Sequence, residues 1–195
     1  MPSSPSVEAV AAIVDSIVPF DAMERAHRAR SLDWLHSTPD IYRRQKPRTP
    51  PQHLVCYFTP IDREQGRILL VAHRLAGLWL LPGGHVEPGE HPWSTVLREA
   101  DEELGLHPTG RQPASPDFLT VTMTNDDRPH TDVSLWYPLP GQAGTPLNWD
   151  RREFSSIRWW TPAEILAAPN SSFDPHLGRF LAKTFSAPGD DDHQP

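Results

Sequence analysis

From Trp93 to Leu104 the apolar residues Trp93, Val96, Leu97, Ala100 and Leu104 recur at helical spacing, which predicts one stripe facing a core. His91-Pro92 opens that helix, because a first-position proline gives up an N–H that would be unpaired anyway. Gly105 closes it as a left-handed cap. Nearer the start, Val7, Val10, Ala11, Val14, Ile17 and Val18 lie on one helical face over residues 7 to 18. Pro19-Phe20 interrupts, and Asp21 with Glu24 predicts a capping box for a second helix reaching about Leu35. Beyond residue 52 the pattern shortens to strands at Leu54 to Phe58 and Ile68 to Val71, with a turn at Gly66. Trp79-Leu80-Leu81 leads toward the central helix. Strands follow it at Phe118 to Thr124, Thr131 to Tyr137 and Ile157 to Trp160. In the second of these, Val133, Leu135 and Tyr137 alternate with other residues as in a half-buried strand. Asn125 to Pro129 is the turn-rich link before it. A short helix at Pro162 to Ala168 and a last one from Asp174-Pro175, burying Leu177, Phe180 and Leu181, complete an α/β order.

Composition narrows the class. At 195 residues the chain suits one domain with an appendage. A net charge of -7 argues against a nucleic-acid polymer as partner, since phosphate backbones are held by basic surfaces. Small phosphorylated ligands remain compatible, because metal ions can supply local positive charge. Cys56 is the single cysteine, lies in an apolar run and is expected to be buried; no disulfide framework or cysteine metal cluster is available. No apolar stretch is long enough to span a membrane, and the N-terminus lacks signal-peptide order, so a cytoplasmic protein is expected. The 23 prolines separate periodic segments and indicate rigid loops.

The chemistry concentrates around the central helix. Glu99, Glu102 and Glu103 stand at i, i+3 and i+4, so three carboxylates share one face. Like charges so close weaken an isolated helix, and a hard divalent cation would neutralise them, since Mg²⁺ favours carboxylate and water oxygens. A run of glutamates is more often only a solvated acidic face. Here it belongs to a longer pattern, Gly84-x5-Glu90-x7-Arg98-Glu99-Ala100-x-Glu102-Glu103-x-Gly105-Leu106. With roughly 5–7% chance per fixed position, coincidence is on the order of one in 10⁸ per starting residue.

This pattern resembles the signature of the Nudix hydrolases (the MutT-like family) at every defined position. The resemblance implies a Nudix α/β/α sandwich with a mixed β-sheet over residues 52–186. An N-terminal helical extension with a Pro-rich linker (1–51) and a disordered tail (187–195) would flank it. It also implies an Mg²⁺-dependent enzyme, with Mn²⁺ as a substitute, that cleaves a phosphoric anhydride bond. By that analogy Glu99, Glu102, Glu103 and the backbone of Gly84 hold metal, while Arg98 and Glu90 form a supporting pair in the catalytic set. Glu87 and Glu153 are additional candidates, Glu87 as an outer carboxylate and Glu153 as a metal ligand or general base. The pattern does not identify the base, which in the family is a glutamate of the signature or a distant carboxylate.

Other residues admit two readings each. Arg43, Arg44, Lys46 and Arg48 form a basic linker that is a solvated connector or a grip on substrate phosphate. His130 and Asp132 flank a strand start and are structural or contact a base or phosphate. Asn125, Asp126 and Asp127 are turn formers or readers of a nucleobase edge. Trp79, Tyr57 and Phe58 are core aromatics or stacking partners. The ten histidines are scattered; His85 and His91 border the signature, without convincing zinc-ligand spacing. A small nucleotide-like substrate is expected, with nucleoside triphosphates, oxidised ones included, favoured over ADP-ribose or nucleotide sugars. A non-catalytic nucleotide sensor is the rival class, and an isoprenoid diphosphate isomerase would need a better-placed cysteine than Cys56. An exposed stripe on Val10, Val14 and Ile17 would need a cover, either the substrate pocket or a homodimer interface.

Overall fold

The computed structural model describes residues 7–38, 40–45, 49–109, 113, 115–124 and 129–185. The expected readings at Pro39, Lys46, Pro47, Arg48, Asn125, Asp126, Asp127 and the 187–195 tail lie outside the described residues. Among the described residues the strands are β1 (Gln52–Asp62), β2 (Arg67–His73), β3 (Leu78–Leu80), β4 (Gly83–His85), β5 (Phe118–Met123), β6 (Thr131–Pro140) and β7 (Phe154–Trp160). The helices are α1 (Val7–Asp15), α2 (Ala22–Ser37), α3 (Pro92–Leu104), α4 (Pro162–Ala167) and α5 (Leu177–Phe185). The strands form one mixed sheet in the order β3-β2-β1-β6-β5, with β4 on β1 and β7 on β2.

β1 is the pivot. It runs parallel to β6 along its whole length and antiparallel to its other neighbours. Its free edge forks: Val55, Cys56 and Tyr57 pair with β4, whereas Ile61 and Asp62 pair with β2. Alternation along the central strands feeds two cores. Leu69, Val71, Val133 and Leu135 join α1 and α3 in one cluster, while Ile68, Leu70, Trp136 and Phe118 join α4 and α5 in the other. The result is helices on both sides of a sheet. β6 is accordingly buried on both faces, not half-buried as its alternation suggests, because Ser134 and Trp136 find cover too.

The N-terminal helices are part of this packing. Val10, Val14 and Ile17 are all but inaccessible and share a cluster with Leu54 and Val71, so the expected stripe is covered within the chain. α1 ends at Asp15, and Val18, expected on the same face, is 78% exposed. α2 lies over the edge strand β5, where Glu24 Oε1 accepts from Leu119 N at 3.1 Å and His27 Nδ1 from Val121 N at 3.4 Å. A helix thus occupies N–H groups that an open edge would offer to other chains. Asp21 caps α2 by accepting from Glu24 N. The reciprocal half of the capping box differs, because Glu24 turns to Phe20 N at 2.6 Å and to Lys183 Nζ. Cys56 is fully buried, as expected, and burial pushes its thiol pKa up.

Candidate active site

α3 carries the carboxylates, and its ends are fixed as the sequence suggests. His91 caps it by accepting from Trp93 N, Pro92 sits in its first turn, and Gly105 closes it at φ 61°. Val96, Ala100 and Leu104 enter the core, but Leu97 is 36% exposed, because the stripe is narrower than the five-residue pattern implies. Burial also separates the three glutamates. Glu103 is 4% exposed and the Glu99 side chain 13%, whereas the Glu102 side chain is 60% exposed at the rim.

The loop before α3 meets these groups through glycine. Gly83 adopts φ 144°, and a Cβ there would overlap the Cys56 carbonyl. A Cβ on Gly84 would land on the Glu99 carboxylate, so a side chain there would displace that group from the loop backbone. Gly83 N donates to Glu103 Oε2 at 2.7 Å. Arg98 ties the loop down: Nε and Nη2 donate to the two oxygens of Glu90 at 2.9 and 3.0 Å, and Nη1 to Glu99 at 2.6 Å. A further donation reaches the His85 carbonyl at 3.3 Å. Such a bidentate fork fixes orientation as well as charge. Glu90 also accepts from Thr95 Oγ1 and Glu87 N. Burial opposes its ionisation, but Arg98, Thr95 and the Glu87 amide outweigh it and lower its pKa. Glu87 itself is exposed and enters this network through its backbone.

The remaining carboxylates are in conflict. Burial, then the charges of Glu99 and Glu153, push the Glu103 pKa up to about 9 against the single Gly83 amide. Burial also raises that of Glu99, although Arg98 opposes it. Glu153 stands just before β7, pairs with His73 at 3.3 Å, and lies near enough for its charge to act on both. Buried carboxylates with too few positive partners fit a hard cation. Glu99, Glu103 and the rim Glu102 could hold one beside the Gly84 backbone.

Elsewhere, Arg43 is half-buried; burial lowers its pKa, opposed by the charges of Asp132 and Glu99. Its guanidinium makes no hydrogen bond among the described residues. Phe58 is core, while Tyr57 and Trp79 are partly exposed and packed edge-on against Trp136 and Trp160. His91 acts as a cap. Three of the scattered histidines, by contrast, come together with an aspartate. His53, His85, His130 and Asp132 gather their ligand atoms within 4.8 Å of one another. They come from β1, β4 and the start of β6, so no local spacing announces them; only the His130-x-Asp132 pair hints at it.

The NUDIX domain model matches residues 51–182, a span that contains the sheet and α3. The chain belongs to the Nudix family. A MutT-like protein of Streptomyces ambofaciens is 31% identical over 121 residues, 62% of this chain and 72% of that protein. The CTP pyrophosphohydrolase of Escherichia coli (strain K12) is 30% identical over 135 residues, 67% of this chain and 93% of its own length. The crystal structure of a NUDIX-family hydrolase from Clostridium perfringens superposes with a TM-score of 0.53 at 18% identity, covering 69% of this chain and 98% of that one, and shares the fold. This Nudix chain is thus a MutT-like pyrophosphohydrolase, of a family that uses divalent metals and acts on small nucleotide-like substrates. No described helix is long and apolar enough to cross a membrane.

Proposed function

We propose that this Nudix enzyme is an Mg²⁺-dependent pyrophosphohydrolase of nucleoside triphosphates, oxidised ones included, acting in the cytoplasm. The observation that carries the reading is the buried pair Glu99 and Glu103, pressed together beside Gly84 with too little positive charge around them. Glu99, Glu102 and Glu103 would hold Mg²⁺ beside the Gly84 backbone, where the ion would supply charge neutralisation and Lewis acidity for anhydride cleavage. The chain's own groups do the positioning. Arg98 and Glu90 lock the loop that carries Gly84, and Gly83 N fixes one Glu103 oxygen. Glu153, paired with His73, would take a proton from an attacking water or add a ligand. Arg43, which makes no hydrogen bond among the described residues, would meet a substrate phosphate. A triphosphate is favoured over ADP-ribose because the similar E. coli enzyme is a CTP pyrophosphohydrolase.

The test is release of phosphate or pyrophosphate from canonical and oxidised nucleoside triphosphates, ADP-ribose and nucleotide sugars. Triphosphates are expected to be cleaved fastest, with Glu103→Gln lowering kcat by about 10²-fold or more. Arg43→Gln is expected to raise KM several-fold while kcat holds, the signature of lost uniform binding. Preferred cleavage of ADP-ribose would replace the substrate class, and tight nucleotide binding without turnover would replace the enzyme by a sensor.

A further inference from the structure

On the other side of β4 from the glutamates the chain assembles a donor set of different chemistry. His53 Nε2 lies 3.0 Å from His85 Nε2 and 3.1 Å from Asp132 Oδ1. His130 Nε2 is 3.5 Å, and His85 Nε2 3.8 Å, from that same oxygen. We propose that His53, His85, His130 and Asp132 form a second cation site, for a zinc-type divalent ion, that pins β4 to β1 and β6.

Three features support it. First, outer partners orient the rings. His53 Nδ1 is 3.0 Å from the Pro50 carbonyl, which can only accept, so Nδ1 carries the proton and Nε2 presents its lone pair inward. His130 Nδ1 lies 3.1 Å from Thr124 Oγ1, and its ring stacks on that of His53. Second, the oxygen is orphaned. Asp132 Oδ1 is buried without a hydrogen-bond partner; His53 Nε2 is close, but not in hydrogen-bonding geometry. One shared proton between His53 and His85 would satisfy those two nitrogens and leave the oxygen bare, a buried acceptor without a donor. A central cation satisfies all four atoms at once. Third, the spacing suits zinc. Ligand distances of about 2.0–2.1 Å put tetrahedral donors roughly 3.3 Å apart; four of the six separations here are 3.0 to 3.8 Å and all lie within 4.8 Å, so the set would draw in slightly around the ion. Three imidazoles and one carboxylate favour zinc over Mg²⁺, which prefers oxygen alone. The site is distinct from the glutamate cluster, yet joined to it, since His85 follows Gly84 and its carbonyl receives Arg98.

Tag-free full-length protein, equilibrated with zinc under excess Mg²⁺ and desalted, is expected to retain about one zinc per chain by elemental analysis. His130→Ala and Asp132→Asn should each weaken retention at least about tenfold, whereas Glu103→Gln should leave it intact. Cobalt in wild-type protein should give the intense visible bands of a tetrahedral site, a readout that does not depend on any variant folding. No retained zinc, loss of zinc with Glu103→Gln but not with His130→Ala, or only the weak bands of six-coordinate cobalt would each overturn the proposal. None of these measurements depends on the substrate assignment.

Discussion

Glu24 on α2 and Glu103 on α3 are both helical glutamates, at 0% and 4% exposure, and their surroundings are opposites. The Glu24 carboxylate receives Lys183 Nζ at 2.9 and 3.1 Å, Phe20 N at 2.6 Å and Leu119 N at 3.1 Å. Both oxygens are saturated and a cation is beside them. Glu103 receives one amide, from Gly83, and faces the negative charges of Glu99 and Glu153. The first arrangement spends its partners on joining α2, β5 and α5. The second leaves capacity open, and that capacity is what the proposed cation would fill.

Removing the cation from the satisfied pair is the harshest test. Lys183→Met should cost about 3 kcal/mol, lowering Tm by roughly 6–12 °C, because an uncompensated charge stays buried. A melt within a degree of wild type would mean that Glu24 draws its support from the two amides alone. The same chemical change then separates the two glutamates. Glu24→Gln should lose about 2 kcal/mol of stability by weakening charged hydrogen bonds. Glu103→Gln, measured with chelator, should lose none and can gain, since it removes a carboxyl that burial holds against ionisation while an amide oxygen still accepts from Gly83. Equal losses in the two variants would erase the distinction.

The two glutamates also differ in how far the sequence reveals them. Glu103 lies in a contiguous helix whose neighbours at i-4 and i-1 share its chemistry, so periodicity and the signature expose it together. Glu24 reads as half of a capping box, but its partners Leu119 and Lys183 lie 95 and 159 residues away. The histidine cluster is hidden for the same reason: β1, β4 and β6 become neighbours only through sheet pairing. The burial of β6 likewise depends on helices from both ends of the chain. Local patterns thus carry the element order and the signature helix, whereas features built by register between distant strands do not appear until the strands are paired.

The smallest effect is expected where the two ends of the chain are clamped. Arg179 on α5 holds the α2 cap Asp21 at 2.6 and 2.7 Å, and its Nη1 stands 3.1 Å from His176 Nδ1. A guanidinium only donates, so His176 must accept and be neutral. Burial, then the charges of His27 and Arg179, lower its pKa to about 4, with Asp21 acting the other way. On acidification the unfolded chain therefore protonates this ring first. Its contribution is whole above about pH 6.5 and is lost as pH falls toward about 4. Asp174, which burial raises to about 6, contributes with the opposite sign and is common to both proteins in a comparison with His176→Gln. Glutamine can still accept from Arg179 but cannot titrate. Between about pH 7 and pH 5 the urea midpoint of the wild type should fall further than that of the variant, by an amount that solvent screening at this half-buried ring keeps modest. Parallel curves would show that the Arg179 clamp tolerates a protonated His176, and that the satisfied side of the molecule has more slack than its saturated hydrogen bonds imply.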